Sequence, residues 1–438
     1  MEPGGSRVGR SSMESQMRAY SEFDWRGIAY DVTEGLPSVL DQGAVTLYAG
    51  FDPTAASLHV GSLMPILGLA RLQRLGHSPI ALVGGGTGLI GDPSGKASER
   101  QLLSADQVSS HVAALRSQLE RFLDFDCGRA SARMINNADW LTGLGAIEFM
   151  RDIGKHFTVS YMLAKESVKG RISREDGISY TEFSYLLLQA YDFLVLHDRF
   201  GCSVQIGGSD QWGNITAGIE LIRRLRGGKA HGLVMPLVTT ASGTKFGKTE
   251  AGTIWLDAAL TKPYEFYQFW LNTDDRDVAR YLKCFTFLDR ASIVELEASS
   301  LARPERREAQ RELAREVTRL VHGPSAVTAA ETATEKLFGD GVGQMSAAEL
   351  LDVFSAVPSV VIPHQSDGWS LVDLATAAGV AKSRGEATRL IRAGGLYLND
   401  VRVADERARF DSESAIGGEI FVLRRGKKEN FLIKIRRS

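Results

Sequence analysis

Cysteine is scarce in this chain: Cys127, Cys202 and Cys284 stand far apart and form neither a CxxC nor a Cys/His pattern. That spacing supports no zinc site and no disulfide framework, and it suits a reducing compartment. Long apolar runs are missing too. The longest uncharged stretches, Pro53–Ala70 and Leu75–Gly91, fall short of the ~20 residues a membrane helix needs, and proline, glycine, serine and histidine interrupt both. A large net charge is also lacking, at -2 for 438 residues. The distribution is more informative. Residues 365–438 hold fourteen Lys/Arg against ten Asp/Glu, a surplus of +4 that leaves -6 for the remainder. An acidic body with a basic tail fits a module that meets a nucleic-acid backbone, although a solvated surface accounts for the same charge equally well.

What is present is an ordinary globular composition, 44% hydrophobic and 24% charged, long enough for two or three domains. Residues 1–20 contain Arg7, Arg10 and Arg18 among serines, a disordered tail by composition; Glu2 and Glu14 argue against a targeting peptide, and Met13 or Met17 offers an alternative start. From 21 to 240, short apolar strands alternate with amphipathic helices, which predicts an α/β domain on a parallel sheet. Strands are expected at Val45–Gly50, Pro79–Gly84, Arg133–Asn136, Ser203–Gly207 and Leu233–Pro236, with helices such as Gly61–Leu75, Ala105–Leu123 and Asn214–Leu225 between them. A connector, 241–262, leads to a purely helical stretch at 263–338. A linker is expected at 339–370, carrying Pro358, Pro363 and Gly368, and a compact α+β unit at 371–438.

Two distant segments read as halves of one phosphate-handling site. The first is Tyr48-Ala49-Gly50-Phe51-Asp52-Pro53-Thr54, leading into His59-Val60-Gly61-Ser62. A strand, a turn and a helix opening near His59 would present backbone N–H groups and a positive dipole end to a polyphosphate. The second is Lys245-Phe246-Gly247-Lys248-Thr249, a glycine-containing loop whose lysines could close over the same phosphates. Together they point to activation by ATP. The stretch Gly84–Gly91 contains a formal GxGxxG, but Asp92-Pro93-Ser94-Gly95 follows where the dinucleotide fingerprint wants an uninterrupted helix. Gly91–Ala97 is one residue short of a P-loop and has Ala97 where Ser or Thr should bind magnesium. The alternative is that these glycines let a small ligand lie against backbone while Asp92 receives its ammonium group, with Lys96 and Arg100 near phosphates.

Tyr185, Gln189 and Asp192 fall at i, i+4 and i+7 in an otherwise apolar segment, a polar stripe on one helix face. With such apolar neighbours, a ligand-binding pocket accounts for the stripe better than solvent does. Gly207-Gly208-Ser209-Asp210-Gln211 is a strand end and helix start, the position where parallel sheets bind ligands. In the C-terminal unit, Lys382, Arg384, Arg389 and Arg392 lie on helical segments, and Arg424, Arg425, Lys427 and Lys428 form a basic hairpin tip. These cations suit sequence-tolerant RNA binding.

In order and in type, these segments resemble the bacterial-type tyrosyl-tRNA synthetases, which are class I aminoacyl-tRNA synthetases. The resemblance runs from about Trp25 to the C-terminus; Trp255 and Pro263–Trp270 extend it into the helical stretch. It implies a Rossmann-like catalytic domain, an all-helical anticodon-side domain and a small S4-like RNA-binding domain. Tyr48 and Asp192 would read the substrate phenol, Asp92, Tyr185 and Gln189 its ammonium group, and Gln211 its carboxylate side. Thr54, His59 and Gly61 would meet ATP, with Ser62 beside them. Gly50, Asp52, Gly208 and Asp210 would line the nucleotide side, and Lys96, Arg100, Lys245, Lys248 and Thr249 would move onto pyrophosphate. ATP with Mg2+, L-tyrosine and tRNA(Tyr) are the implied ligands, with no resident metal site, and a cytoplasmic homodimer is the implied state. One departure stands out: the first signature usually ends in histidine or asparagine, and here it ends in Ser62, whose shorter reach should alter ATP contacts.

The sequence leaves three other readings. A tryptophan-specific relative would not need Tyr48 with Asp192. A decayed synthetase kept for RNA binding would not need His59 and both lysines. A dehydrogenase would need a glycine fingerprint that fails in its context.

Overall fold

The computed structural model describes residues 18–94, 102–173, 177–244, 246–249, 252–338, 345–353, 359–426 and 429–436. The chain divides into two compact units, 1–257 with 273–313, and 258–272 with 314–438.

The first unit is built on a six-stranded sheet of β1 (Asp31–Val32), β2 (Thr46–Phe51), β3 (Ser78–Val83), β4 (Arg133–Asn136), β5 (Cys202–Gly208) and β6 (His231–Met235). Its order is β1-β6-β5-β2-β3-β4, parallel throughout except for the antiparallel edge strand β1, which the sequence pattern does not reveal. All five expected strands form, within one or two residues. β2, β3 and β6 are nearly continuous apolar runs because both faces of a parallel sheet are covered. The strand order reverses between β2 and β5. A crevice therefore opens beyond their carboxyl ends, at Gly50–Asp52 and Gly207–Asp210.

Helix Tyr180–Phe200 starts on a Ser179 cap, which accepts from the Glu182 N–H, and stops at Gly201, whose positive φ ends the helix. It packs Leu186, Leu187, Phe193 and Leu194 with Tyr48 and Ile80 in one buried cluster. Helix Trp212–Arg226 lies beside it. Helix Asp275–Phe285 belongs to the same unit, and its C-terminal carbonyls are held by two buried arginines. Arg26 donates to the carbonyls of Lys283, Thr286 and Leu288 at 3.0, 3.2 and 2.7 Å, and Arg71 donates to Thr286 at 2.5 Å. Cations suit a helix C-terminus, where the carbonyls otherwise lack partners. The helical stretch 263–338 is thereby divided, with 273–313 in the first unit and its remainder in the second.

In the second unit, helices Pro263–Leu271 and Pro324–Phe338 precede a five-stranded sheet of Val401–Arg402, Leu396–Leu398, Ile420–Arg425, Glu429–Arg436 and Ser359–Pro363, in that order. Helices Leu371–Ala377 and Arg384–Arg392 share a core with this sheet. The expected linker 339–370 needs correction here. Ser359–Pro363 pairs in parallel with Leu432–Arg436, and helix Ala347–Val353 precedes it. Prolines suggested a linker, but Pro363 closes an edge strand, where no ladder N–H is required.

Candidate active site

Asp192 lies on the inward face of helix Tyr180–Phe200, 2% exposed. Its Oδ1 accepts from the Trp140 indole at 2.8 Å and its Oδ2 from the Asn137 amide at 2.9 Å. Burial pushes its carboxyl up to about 7, against the opposing pull of those two donors. Tyr48, in the middle of β2, is 1% exposed, and its hydroxyl meets no hydrogen-bond partner among the described residues. Burial first, then the Asp192 charge, hold that phenol well above its ordinary range. A buried unpaired hydroxyl beside a buried carboxylate is costly, and a ligand hydroxyl could satisfy both groups.

A chain of hydrogen bonds connects this end of the cleft to the strand terminus. Asn137 also donates to Thr87 Oγ1 at 3.0 Å, and Thr87 donates to Asp52 Oδ1 at 2.8 Å. The Tyr185 hydroxyl donates to Asp52 Oδ2 at 2.9 Å. Thr87, Asn137 and Trp140 are therefore part of the site, and sequence reading missed all three. Their one signal was a polar Asn136-Asn137 pair at a strand's carboxyl end, where ligands gather.

The glycines preceding Asp92 are packed closely against polar side chains. A Cβ on Gly84 would fall 2.1 Å from Asp52 Oδ1, and one on Gly85 2.2 Å from Asn136 Oδ1. These residues are small because the loop packs against the site's own polar side chains. Within the stretch the chain makes a short 3-10 turn, Thr87–Leu89, where the dinucleotide fingerprint would open a longer helix.

A second polar group gathers around Asp92. Gln211 donates to Asp92 Oδ2 at 2.8 Å, and Asn214 donates to Gln189 Oε1 at 2.8 Å and to Gln211 Oε1 at 3.2 Å. Gln189 donates to Gln211 Oε1 at 3.2 Å. Gln189, Gln211 and Asp92 thus form one unit, whereas Tyr185 turns its hydroxyl to Asp52 instead. Asn214, one turn into the helix that follows β5, completes the group.

At the open end, His59 caps a 3-10 turn, Val60–Ser62, which runs into helix Leu63–Arg74. His59 Nδ1 accepts from the Gly61 N–H at 3.0 Å, which leaves Nε2 as the nitrogen that carries the proton in the neutral ring. Thr54, His59 and Lys248 are exposed, and Ser62 and Asp210 are half-buried. Ser62 makes no side-chain cap at the helix it precedes. Lys248 and Thr249 form one arm of a two-residue hairpin with Gly252–Thr253. Lys96, Arg100 and Lys245 lie outside the described residues, as do Lys427 and Lys428. In the second unit, Lys382 and Arg389 are exposed on or beside helix Arg384–Arg392. Arg384 pairs with Asp373, and Arg392 with Glu406 at 2.9 Å. Arg424 stacks 4.0 Å over Tyr397, and Arg425 donates to the Val380 carbonyl at 3.1 Å. Among the described residues, no group of three or more His, Cys, Asp or Glu side chains is placed to hold a metal ion.

Comparison with known proteins shows the family. Residues 40–339 match the family model of class I tRNA synthetases (W and Y), and residues 349–433 that of the C-terminal domain of tyrosine–tRNA ligases. The chain is 56% identical to the tyrosine–tRNA ligase of Roseiflexus castenholzii over 94% of its own length and 98% of the relative's. It is 53% identical to that of Geobacillus stearothermophilus over 95% and 100%. Among solved structures it is similar to a C-terminally truncated mitochondrial tyrosyl-tRNA synthetase from Aspergillus nidulans, with a TM-score of 0.67, 32% identity, and 73% of this chain and 94% of that one covered. From matched sequence and fold, the chain belongs to the class I tRNA synthetases, in the tyrosine–tRNA ligase family.

Proposed function

We infer that the chain activates L-tyrosine with ATP, releasing pyrophosphate, and transfers the tyrosyl group to the 3′-terminal adenosine of tRNA(Tyr). The observation that carries the tyrosine reading is the buried pair of Asp192, already oriented by Trp140 and Asn137, and Tyr48, whose hydroxyl lacks a partner among the described residues. A para-hydroxyl entering this pocket donates to the carboxylate and engages the Tyr48 hydroxyl. Phenylalanine would leave the Tyr48 hydroxyl unpaired and bring Asp192 no further donor, so discrimination follows without an editing site.

The chemistry needs no protein nucleophile, because the substrate carboxylate attacks the α-phosphorus of ATP. The bond to the pyrophosphate oxygen breaks as the carboxyl–phosphate bond forms. Residues here position and stabilise charge. Asp92 with Gln189 and Gln211 holds the ammonium end. His59 Nε2, Thr54 and the cations Lys96, Arg100, Lys245 and Lys248, with the Thr249 hydroxyl, meet the developing charge on the phosphates. Gly50, Asp52, Gly61, Ser62, Gly208 and Asp210 line the nucleotide, with backbone approach at the glycines. Magnesium enters as part of MgATP, held by phosphates.

The six basic residues described in the second unit, with Lys427 and Lys428, are assigned to the tRNA backbone. Exposed apolar side chains at Ile147 (73%), Val159 (62%), Ile172 (48%) and Tyr180 (72%) support a homodimer, since apolar surface left in water is costly. No helix among the described residues is long and apolar enough to cross a membrane, and a cytoplasmic location fits the unpaired cysteines. Tyrosine-dependent ATP–pyrophosphate exchange, run beside tryptophan and phenylalanine, tests the reading. Exchange with tryptophan in preference to tyrosine would overturn it.

A further inference from the structure

The two phosphate-handling segments, about two hundred residues apart in the chain, are joined by backbone hydrogen bonds. His59 and Trp255 form an antiparallel bridge. The Val60 N–H donates to the Ile254 carbonyl at 3.0 Å, and the Leu256 N–H to the Leu58 carbonyl at 2.8 Å. The Ile254 N–H in turn donates to Gly247 within the lysine loop, at 3.0 Å. Side chains reinforce the pairing. The Trp255 ring meets the His59 ring edge-on, with centroids 6.2 Å apart. Gly247, at φ +78, sits so close to Val60 that a Cβ there would fall 2.4 Å from Val60 Cγ2.

Both ends of this pairing are anchored in the core. Ser57 Oγ accepts from the Asp257 N–H at 3.1 Å, and Gln118 accepts from the Leu58 N–H at 2.9 Å, with Ser57 and Gln118 each 4% exposed. On the loop side, Phe246 stands between the two lysines in sequence. It is buried, stacked 5.1 Å from the Phe285 ring and edge-on to Tyr281 at 5.0 Å. A loop held this way cannot shift its stem without pulling on the backbone that carries His59.

We propose that Trp255 and Val60 are positioning residues that bind His59 and the lysine loop into a single mechanical part, so that the place of the loop sets the place of the histidine. The proposal rests on the reading that both segments meet ATP. In the transition state, His59 and the lysines must converge on one polyphosphate, and misplacement of either by about 1 Å costs rate steeply. The strand pairing supplies that register before ATP arrives.

The test is single-turnover formation of tyrosyl-adenylate across an ATP titration, with equilibrium dialysis of tyrosine beside it. Trp255→Ala should slow the maximal rate by on the order of tenfold to a hundredfold, leave the tyrosine Kd within about twofold, and recover most of the rate as Trp255→Phe. Combined with His59→Ala, it should add little, because both changes remove the same contact to phosphate. A wild-type rate for Trp255→Ala, a full multiplicative effect on top of His59→Ala, or a parallel loss of tyrosine binding overturns the proposal. If Trp255→Ala does not fold, Val60→Ala takes its place with the same outcomes. A wild-type rate for His59→Ala alone would instead sink the phosphate reading, while the effect of Trp255→Ala would still be read separately.

Discussion

At the end of the cleft that holds Asp192 and Tyr48, the polar side chains are buried and already fixed. At the end that holds Thr54, His59 and Lys248, they stand in water. The contrast follows from what each end must do. Telling tyrosine from phenylalanine is a matter of one oxygen atom, which carries weight only where water cannot substitute for it. Handling a triphosphate requires cations that approach, stabilise charge and then release pyrophosphate, which a sealed pocket would prevent. Buried and exposed polar groups are thus separated along one crevice. The Asn137–Thr87–Asp52 relay runs from the first end toward the carboxyl end of β2.

The largest effect expected is at the dry end. Asp192→Ala leaves the Trp140 and Asn137 donors, and the incoming phenol, without an acceptor. A loss of about 2–5 kcal/mol in transition-state binding follows, roughly thirtyfold to several thousandfold in kcat/KM for tyrosine. The apparent KM for ATP should change far less; equal losses in both would break the separation of the two ends.

The same carboxyl makes a prediction about pH. Asp192 titrates at about 7 in the fold and near 4 unfolded. The folded state thus binds the extra proton between those values. Its stabilising contribution is complete below about pH 4 and is lost as pH rises through about 7. Asp192→Asn should flatten that part of the stability profile, measured by denaturant titration. If the ionised carboxylate is the phenol acceptor, kcat/KM for tyrosine in the unmodified enzyme falls as pH drops below about 7.

A smaller effect is expected from Tyr48→Phe. Removing a hydroxyl with no partner should leave the melting temperature of the free protein unchanged or slightly higher. It should weaken tyrosine binding by about 0.5–1.5 kcal/mol, the worth of one hydrogen bond. A clear drop in melting temperature would mean the hydroxyl is already satisfied without substrate. The smallest change is at the open end. Ser62→His lengthens a half-buried side chain beside the phosphate segment, and it should shift the KM for ATP by a few-fold while leaving tyrosine binding as it was. Unchanged ATP kinetics would show that this position does not reach the nucleotide.

Much of the candidate site is legible in the sequence, because its residues sit at recurring places in the chain. Tyr185, Gln189 and Asp192 announced themselves by helical spacing among apolar neighbours, and the tertiary structure buries Tyr185 and Asp192 as that pattern implies. Asp52 and Asp210 lie just past strand ends, where a parallel sheet opens its crevice. Thr87, Asn137 and Trp140 were not legible. Thr87 follows β3, whereas Asn137 and Trp140 follow β4, and nothing in their own sequence says that all three converge on the surroundings of one carboxylate. The linker expectation failed for a related reason. Ser359–Pro363 is a strand only because Leu432–Arg436, some seventy residues later, offers it a partner.

Alternation of short apolar strands with amphipathic helices determined by itself that this chain builds a parallel sheet flanked by helices, and its signature segments determined its chemistry class, because periodicity and backbone requirements are local properties. Only the tertiary structure decided which polar groups are paired and which wait for a ligand. That distinction depends on burial and on partners distant in sequence: the fold closed around the Tyr48 hydroxyl without supplying a partner among the described residues.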